Sequence, residues 1–463
     1  MEADKMTLST RTVSAAGYIF VFIVFALILC AWRPSPPDDF LRHVRYMDYA
    51  PHGGYSYMFP DSYFEQFTWD PWYGFDHLAG IVKAWIGTDK TILLFQVVSL
   101  WLFLAGMIIN LQNRSEHFLL HLTFLSFLLS LLVNRLILIR PCIFLAIIFF
   151  LSIKGRRFLT GFLTSVICAV LYYLFFLYTV PLILAHYLRG SKRFSFGMAA
   201  GTILSIAGWL LFTDFGLVSI LWHTLNALLF SRQGLVIAEN TLSVDQLERP
   251  AVYLIVFLFL ATLYRRRGTD IYTILLLSTA PLALQARYFV DLSLPLMVLY
   301  LLRRNGQMTV FFLRNRPVFE ALALVSILLV IPGIRNVSVK SPYTARLDGL
   351  DLPTGSTVFC ADGMPNNFSA VFWNKNLIRV LPSSEIGWND KETLEVIKYI
   401  TAARTISEDF CGYARKYRIN YVLSERPSSA PCFSLLLSAM KSAKSSMSIF
   451  SSWLAAPYSP VIT

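Results

Sequence analysis

Between Asp38 and Asp76 the chain carries Asp38, Asp39, Asp48, Asp61, Glu65, Asp70 and Asp76 among many tyrosine, phenylalanine and tryptophan rings. A carboxylate can take the proton of a hydroxyl nucleophile, and aromatic faces beside it point to a sugar site. Pro36 and Pro37 fit the first turn of a helix, where a missing N–H costs nothing, and Asp38 and Asp39 then sit where the helix dipole favours negative charge. In that helix Asp39, His43 and Tyr46 share one stripe, and Asp38, Arg42, Arg45 and Tyr49 the adjacent one. A turn is expected at Pro51–Gly54. A second short helix over Asp70–Lys83 is expected to run along a membrane surface with Trp69, Trp72, Tyr73 and Trp85 at headgroup depth. The plainer reading of Asp38 and Asp39 is as helix caps. For His43 it is a hydrogen-bonding group on the helix surface, because no second His or Cys stands at ligand spacing in this loop.

The elements that must position these residues follow from composition. The 463 residues are 56% apolar and 15% charged, with a mean hydropathy of +0.57. That balance excludes an ordinary soluble globule and implies a polytopic α-helical membrane protein. The net charge of +12 does not imply nucleic acid, because the basic residues cluster in short loops between apolar runs.

Val13–Trp32 is the first span, held with its N-terminus inside by Lys5 and Arg11. Further spans are expected over Thr91–Leu111, His117–Asn134, Leu136–Ile153, Phe158–Leu171, Tyr172–Leu188, Phe194–Thr213, Ala251–Tyr264, Ile271–Gln285, Tyr288–Leu302 and Val318–Gly333, eleven in all. Every loop then placed inside carries basic residues, including Lys154, Arg156 and Arg157, and Arg189, Lys192 and Arg193. Phe158–Leu188 has to divide into two short helices, with Pro181 near the start of the second. The outer loops are residues 33–90 and 214–250. In the latter, Val218–Phe230 reads as a helix in the interface and Ser231–Arg249 as a flap. Arg135, Arg140 and Arg287 fall outside, against the charge bias, where an anion would compensate them.

Residues 1–334 thus form a transmembrane unit and 335–463 an extracytoplasmic α/β domain. Within the latter, Thr357–Cys360 and Asn420–Leu423 read as strands, Asp390–Ala402 and Ser407–Arg418 as helices. Cys30, Cys142 and Cys168 lie in the membrane; an oxidising compartment permits one disulfide among Cys360, Cys411 and Cys432.

One N-terminal span, an outer loop opening Asp38-Asp39 with Arg45-Tyr46 soon after, Gly53-Gly54, then Glu65-Gln-Phe-Thr and Trp72, resembles the C-type (GT-C) membrane glycosyltransferases. The first outer loop of that family reads roughly DD…RY…GxG…E-G-Y-T-x-P-L-W. Gln66 and Asp70 depart from this pattern by standing where Gly and a small residue are usual. The likeness extends to the helix pair Phe158–Leu188, to Arg287-Tyr288-Phe289…Pro295 and to a closing outer domain. The bacterial arabinofuranosyl- and mannosyltransferase-like branch is nearest. This resemblance implies transfer of a sugar from a polyprenyl-phosphate donor to a glycan, lipid or protein acceptor on the extracytoplasmic side of the inner or plasma membrane, without nucleic acid.

Under it Asp39 is the general base, with Asp38 or Glu65 assisting or holding a divalent cation, Mg2+ or Mn2+. Arg287, with Tyr288, is expected at the donor phosphate, which a guanidinium fork matches bidentately, and Arg140 is the second candidate. An anchor snorkelling to headgroups is the alternative for Arg287. Arg45, Tyr46, His43, Asp70 and Trp72 are expected to line the substrate, although Trp72 also suits a membrane-belt role. A transporter or flippase of lipid-linked sugars is the competing class; it would more usually show internal repeats and charges in mid-span. A non-catalytic scaffold is the third.

Overall fold

The computed structural model describes residues 17–31, 40–62, 69–111, 118–219, 221–222, 270–285, 290–304, 317–318, 321, 325, 352–360, 374–381, 392–393, 395–396 and 410–423. Most of these are helical. In chain order they form α1 (Gly17–Ala31), α2 (Phe40–Tyr49), α3 (Tyr55–Met58), α4 (Tyr73–Ile86), α5 (Thr88–Asn110), α6 (Phe118–Leu138), α7 (Pro141–Ser152), α8 (Phe158–Leu171), α9 (Phe176–Arg189), α10 (Lys192–Phe212), α11 (Ile271–Gln285), α12 (Val290–Arg304), β1 (Thr357–Cys360), β2 (Arg379–Leu381), α13 (Phe410–Lys416) and β3 (Tyr421–Leu423). Among the described residues, α5 and α10 are long and apolar enough to cross a membrane. The expected spans Ala251–Tyr264 and, for the most part, Val318–Gly333 lie outside the described residues, as does the loop Ser231–Arg249. Residues 216–219 and 221–222 are helical where the interfacial helix was expected to begin.

From α5 to α10 the helices alternate in direction. At one end, Asn110 at the close of α5 donates to Phe150 O of α7 (2.7 Å) and accepts from Tyr272 Oη of α11 (2.9 Å). Lys154 reaches Ile109 O, and His186 near the end of α9 bonds Ser152 O at 3.2 Å. Lys154, Arg156, Arg157, Arg189, Lys192 and Arg193 therefore gather at one end of the bundle. At the opposite end Gln96 donates to Ile137 O at 3.2 Å. There too Tyr173 N–H, in the break between α8 and α9, donates to Pro71 O at 3.3 Å. Buried amides and hydroxyls in these apolar helices bond backbone oxygens of their neighbours, which is how polar groups are accommodated away from water.

The expected division of Phe158–Leu188 is present as α8 and α9, broken at residues 172–175, with Pro181 inside α9. α8 and α10 lie unusually close. A Cβ on Gly197 would stand 2.0 Å from Phe158 O, and one on Gly161 would stand 2.2 Å from Phe194 O. Only hydrogen fits at these two crossings.

β1, β2 and β3 form a parallel sheet in the order β2-β1-β3. Phe359 of β1 packs on Phe410 (4.9 Å) and Tyr413 (5.8 Å) of α13, so strand and helix share a small core. Cys411 is disulfide-bonded whereas Cys360 is not in a disulfide.

Candidate functional site

α2 presents Phe40, Leu41 and Val44 to the bundle, with Phe40 5.1 Å from Phe95 of α5 and 5.9 Å from Phe75 of α4. The same packing draws Arg42 and His43 inward, each 1% exposed. After the turn at residues 50–54, Gly53 and Gly54 adopt φ +109° and +60°, conformations that L side chains rarely take. A Cβ on Gly54 would meet the Tyr46 ring at 3.0 Å. This tight reversal folds α3 back on α2 and brings Tyr55 beside Tyr46, ring centroids 4.8 Å apart.

α4 completes the cluster from below. Phe75 and Ala79 form its buried stripe, and Asp76, 0% exposed, sits within it. His43 Nδ1 is bonded to Asp76 Oδ1, and Tyr55 Oη donates to Asp76 Oδ2 at 2.5 Å. Asp70, just ahead of the helix, accepts from Trp72 N–H through Oδ1 at 2.8 Å, and is near enough to Asp76 for the two carboxyls to act on each other electrostatically. The Arg42 guanidinium lies over Trp72, 4.4 Å from the ring centroid, and 5.5 Å from the Tyr55 centroid, a favourable placement for a desolvated cation. Burial pushes Asp70 well above the carboxylate range, and the neighbouring Asp76 pushes it further. Asp76 is raised to about 8 by burial, against the lowering effects of its bond to Tyr55, of Arg42 and of Asp70. Burial likewise holds the Tyr46 and Tyr55 hydroxyls in the neutral form.

Several expectations need revision here. His43 is not a surface hydrogen-bonder: the packing of Phe40 and Val44 turns it into the protein, edge-on to Trp72 at 5.4 Å and Phe75 at 5.0 Å. Trp69 and Trp72 do not present their rings at the protein surface. Both are buried, Trp69 edge-on to Trp209 of α10 at 5.5 Å. The exposed rings of this segment are Trp85 (85%) and Tyr73 (45%).

Of the residues expected at the substrate, His43, Asp70, Trp72 and Tyr46 come together in this cluster. Arg45 points the other way. It bonds Asn374 O and Lys375 O beside β2, the latter at 3.4 Å, and Asp48 Oδ2 at 2.5 Å. Asp38, Asp39, Glu65, Arg287 and Tyr288 lie outside the described residues. Asp39 directly precedes Phe40, the first residue of α2.

Arg42, Tyr55 and Asp76 are partners that the sequence reading did not assign. The signal for Asp76 was its place beside Phe75 and Ala79 on a helix that packs inward on that face.

A second polar cluster occupies the same end of the bundle. Arg135, in the last turn of α6, makes a bidentate pair with Asp291 in the first turn of α12: Nε to Oδ1 at 2.5 Å and Nη2 to Oδ2 at 2.9 Å. The anion that compensates Arg135 is thus the protein's own. Arg140, 6% exposed, precedes Pro141 at the start of α7, near enough to act electrostatically on Arg135. One turn on, Phe144 packs on Phe75 at 5.5 Å and Phe95 at 5.9 Å, so the arginines and the α2–α4 cluster flank one aromatic layer. An apolar groove lined by Phe176, Leu177, Val180, Pro181 and Leu184 of α9 and Ser278 of α11 runs along the bundle. Comparison of the chain with protein-family models, with curated proteins and with solved structures finds no match.

Proposed function

We propose that the protein is a membrane glycosyltransferase of GT-C type that moves a sugar from a polyprenyl-phosphate donor to an acceptor hydroxyl at the extracytoplasmic face. The observation that carries this reading is the gathering, at the bundle end away from Lys154, Arg156, Arg157, Arg189, Lys192 and Arg193, of a carboxyl-rich network on α2–α4 and the buried Arg140 beside the Arg135–Asp291 pair. If the basic loops face the cytoplasm, this end faces outward. The full topology belonging to the reading has eleven spans, N-terminus inside and the C-terminal α/β unit outside.

In this scheme the acceptor oxygen attacks the anomeric carbon, its proton passes to the Asp39 carboxylate, and the bond from that carbon to the phosphate oxygen breaks, leaving polyprenyl phosphate. Charge grows on the departing phosphate, so a fixed guanidinium there lowers the barrier. Arg287 and Arg140 are assigned to that task. Arg135 is already paired with Asp291 and serves the architecture. The apolar groove between α9 and α11 suits the isoprenoid tail. Asp38 and Glu65 would hold a divalent cation if one takes part.

The test is transfer by the purified protein from a radiolabelled polyprenyl-phosphate sugar, with Asp39→Asn as control. Transfer that falls on the order of a hundredfold in the variant, with donor binding kept, supports the reading. Donor binding and movement across a vesicle membrane without any transfer would instead assign a flippase. Full activity in a chelator would remove the cation from the scheme.

A further inference from the structure

The loops on either side of the α8–α9 pair carry the exposed cations Arg156, Arg157, Arg189, Lys192 and Arg193. The charge bias of membrane insertion accounts for their presence at one end of the bundle. It does not account for their assembly into one surface. The Ser191 hydroxyl donates to Arg156 O at 2.8 Å. His186 ties the loops further, bonding Ser152 O through Nε2 at 3.2 Å and accepting from Ser191 N–H through Nδ1 at 3.4 Å. The Phe194 ring lies so close to Gly155 that a Cβ there would stand 2.2 Å from it. The two loops are thus one fixed platform. Its five cations make no ion pair among the described residues, and neither α8 nor α10 has an acidic residue in its first turn. Asp270, just ahead of α11 at this end, is engaged with Thr273, accepting from its N–H at 2.8 Å and its hydroxyl at 2.7 Å.

The border of the platform indicates which anion completes it. Arg157 runs directly into Phe158 and Leu159, 50% and 63% exposed, and Arg189 follows the exposed Tyr187 and Leu188. Lys192 Nζ stands 5.7 Å from the centroid of the Tyr187 ring, and the exposed Phe196 is edge-on to that ring at 6.2 Å. Apolar exposure continues at Ile203 and Leu204 of α10, a helix long and apolar enough to cross a membrane. Cations set directly above exposed rings and aliphatic chains match a ligand with a phosphate head and hydrocarbon tails. We propose that this platform binds acidic phospholipids of the leaflet that meets this end of the bundle, with their phosphates on the five cations and their acyl chains along α8 and α10. The site is separate from the groove between α9 and α11, and it depends neither on the transferase reading nor on which side of the membrane it faces.

The probe is phosphatidylglycerol, with phosphatidylcholine as the zwitterionic comparison. The full chain, purified in detergent, is titrated with each lipid, and the lipid retained is read by native mass spectrometry. A cation near an anionic surface contributes about fivefold to binding. The triple variant Arg156→Gln, Arg157→Gln and Arg193→Gln should therefore lose at least about tenfold in phosphatidylglycerol affinity, with phosphatidylcholine unchanged. Lys90→Gln with Arg415→Gln and Arg418→Gln removes the same charge from exposed positions elsewhere and should leave phosphatidylglycerol affinity as it was. A further measurement needs no variant: affinity of the unmodified protein for phosphatidylglycerol should fall as salt screens the exposed charges. Equal retention of the two lipids overturns the proposal, as does salt-independent binding or an equal loss in the charge-matched control. Displacement of the lipid by inorganic phosphate beyond that by chloride at the same ionic strength would make this a site for free anions, and overturns it as well.

Discussion

Arg135 and Asp291 face each other away from water, and a bidentate guanidinium–carboxylate pair in that setting is costly to split because the survivor keeps an uncompensated charge. Asp291→Ala should therefore destabilise the protein by about 3–5 kcal/mol, measured as thermal unfolding in detergent. The double variant Arg135→Leu with Asp291→Leu should recover most of that loss, since neither charge is then buried alone. Asp76 supplies a pH signature. Burial raises it from 3.8 to about 8, so the folded site holds its proton more tightly than the unfolded chain does. The stability associated with that proton is complete below the unfolded carboxylate range and is lost as pH rises through about 8. Unfolding temperatures should fall across this window, and Asp76→Asn, which has no proton to lose, should flatten the slope. A slope of equal size in the variant would assign the effect to another group. At this scale the sequence was a partial guide. The carboxylates and rings of the first loop were evident from their types, but helical spacing alone cannot say which stripe faces the protein. That is why Arg45 was grouped with the substrate.

Helices were more legible than the contacts between them. The expected span Phe158–Leu171 coincides with α8, and Ile271–Gln285 coincides with α11, because long apolar runs ended by basic or glycine-containing loops have few alternatives. β2 was missed: Arg379–Leu381 is three residues long and follows Asn374-Lys-Asn, so it has neither the length nor the alternation that identifies a strand. The crossing of α8 and α10 was also invisible, since glycine in an apolar run has several uses. Its meaning emerges only with Phe158 O and Phe194 O in place. Gly197→Leu should force these helices apart, and the lost packing extends beyond the crossing. Ser165 Oγ bonds Met198 O at 2.9 Å and Thr202 Oγ1 at 3.0 Å, and Thr202 in turn reaches Thr179 of α9 at 3.2 Å. A large drop in unfolding temperature is expected, whereas Gly208→Leu, on the same helix with open space around it, should change little. Equal effects at the two positions would show that helix propensity, not the crossing, decides.

The whole molecule is joined through α2. One face of that helix carries the buried network with α4. From the other, Arg45 reaches Asn374 O and Lys375 O, and the Tyr49 hydroxyl both donates to Ile378 O and accepts from Ile378 N–H at 3.0 Å. The parallel sheet is thus seated on the helix that directly follows Asp38–Asp39, at the bundle end opposite Lys154, Arg156, Arg157, Arg189, Lys192 and Arg193. Basic loops of this kind are retained in the cytoplasm during insertion, so sheet, α2 and both polar clusters should share the outer face. A reporter fused at Ser428, beyond β3, should then be active only as an extracytoplasmic protein, and cysteine labelling there should succeed with an impermeant reagent on intact cells. Introducing a cysteine at Arg156 gives the complementary arm, which should react only after the membrane is opened. Labelling of Ser428 from the cytoplasm would invert the molecule and move the α2–α4 network to the wrong side for a polyprenyl-phosphate donor presented outside. Tyr49→Phe separates this question from docking: it removes both bonds to Ile378 while leaving the helices and their charges unchanged. Its sheet should become more susceptible to protease, with the sidedness of the Ser428 reporter unaltered.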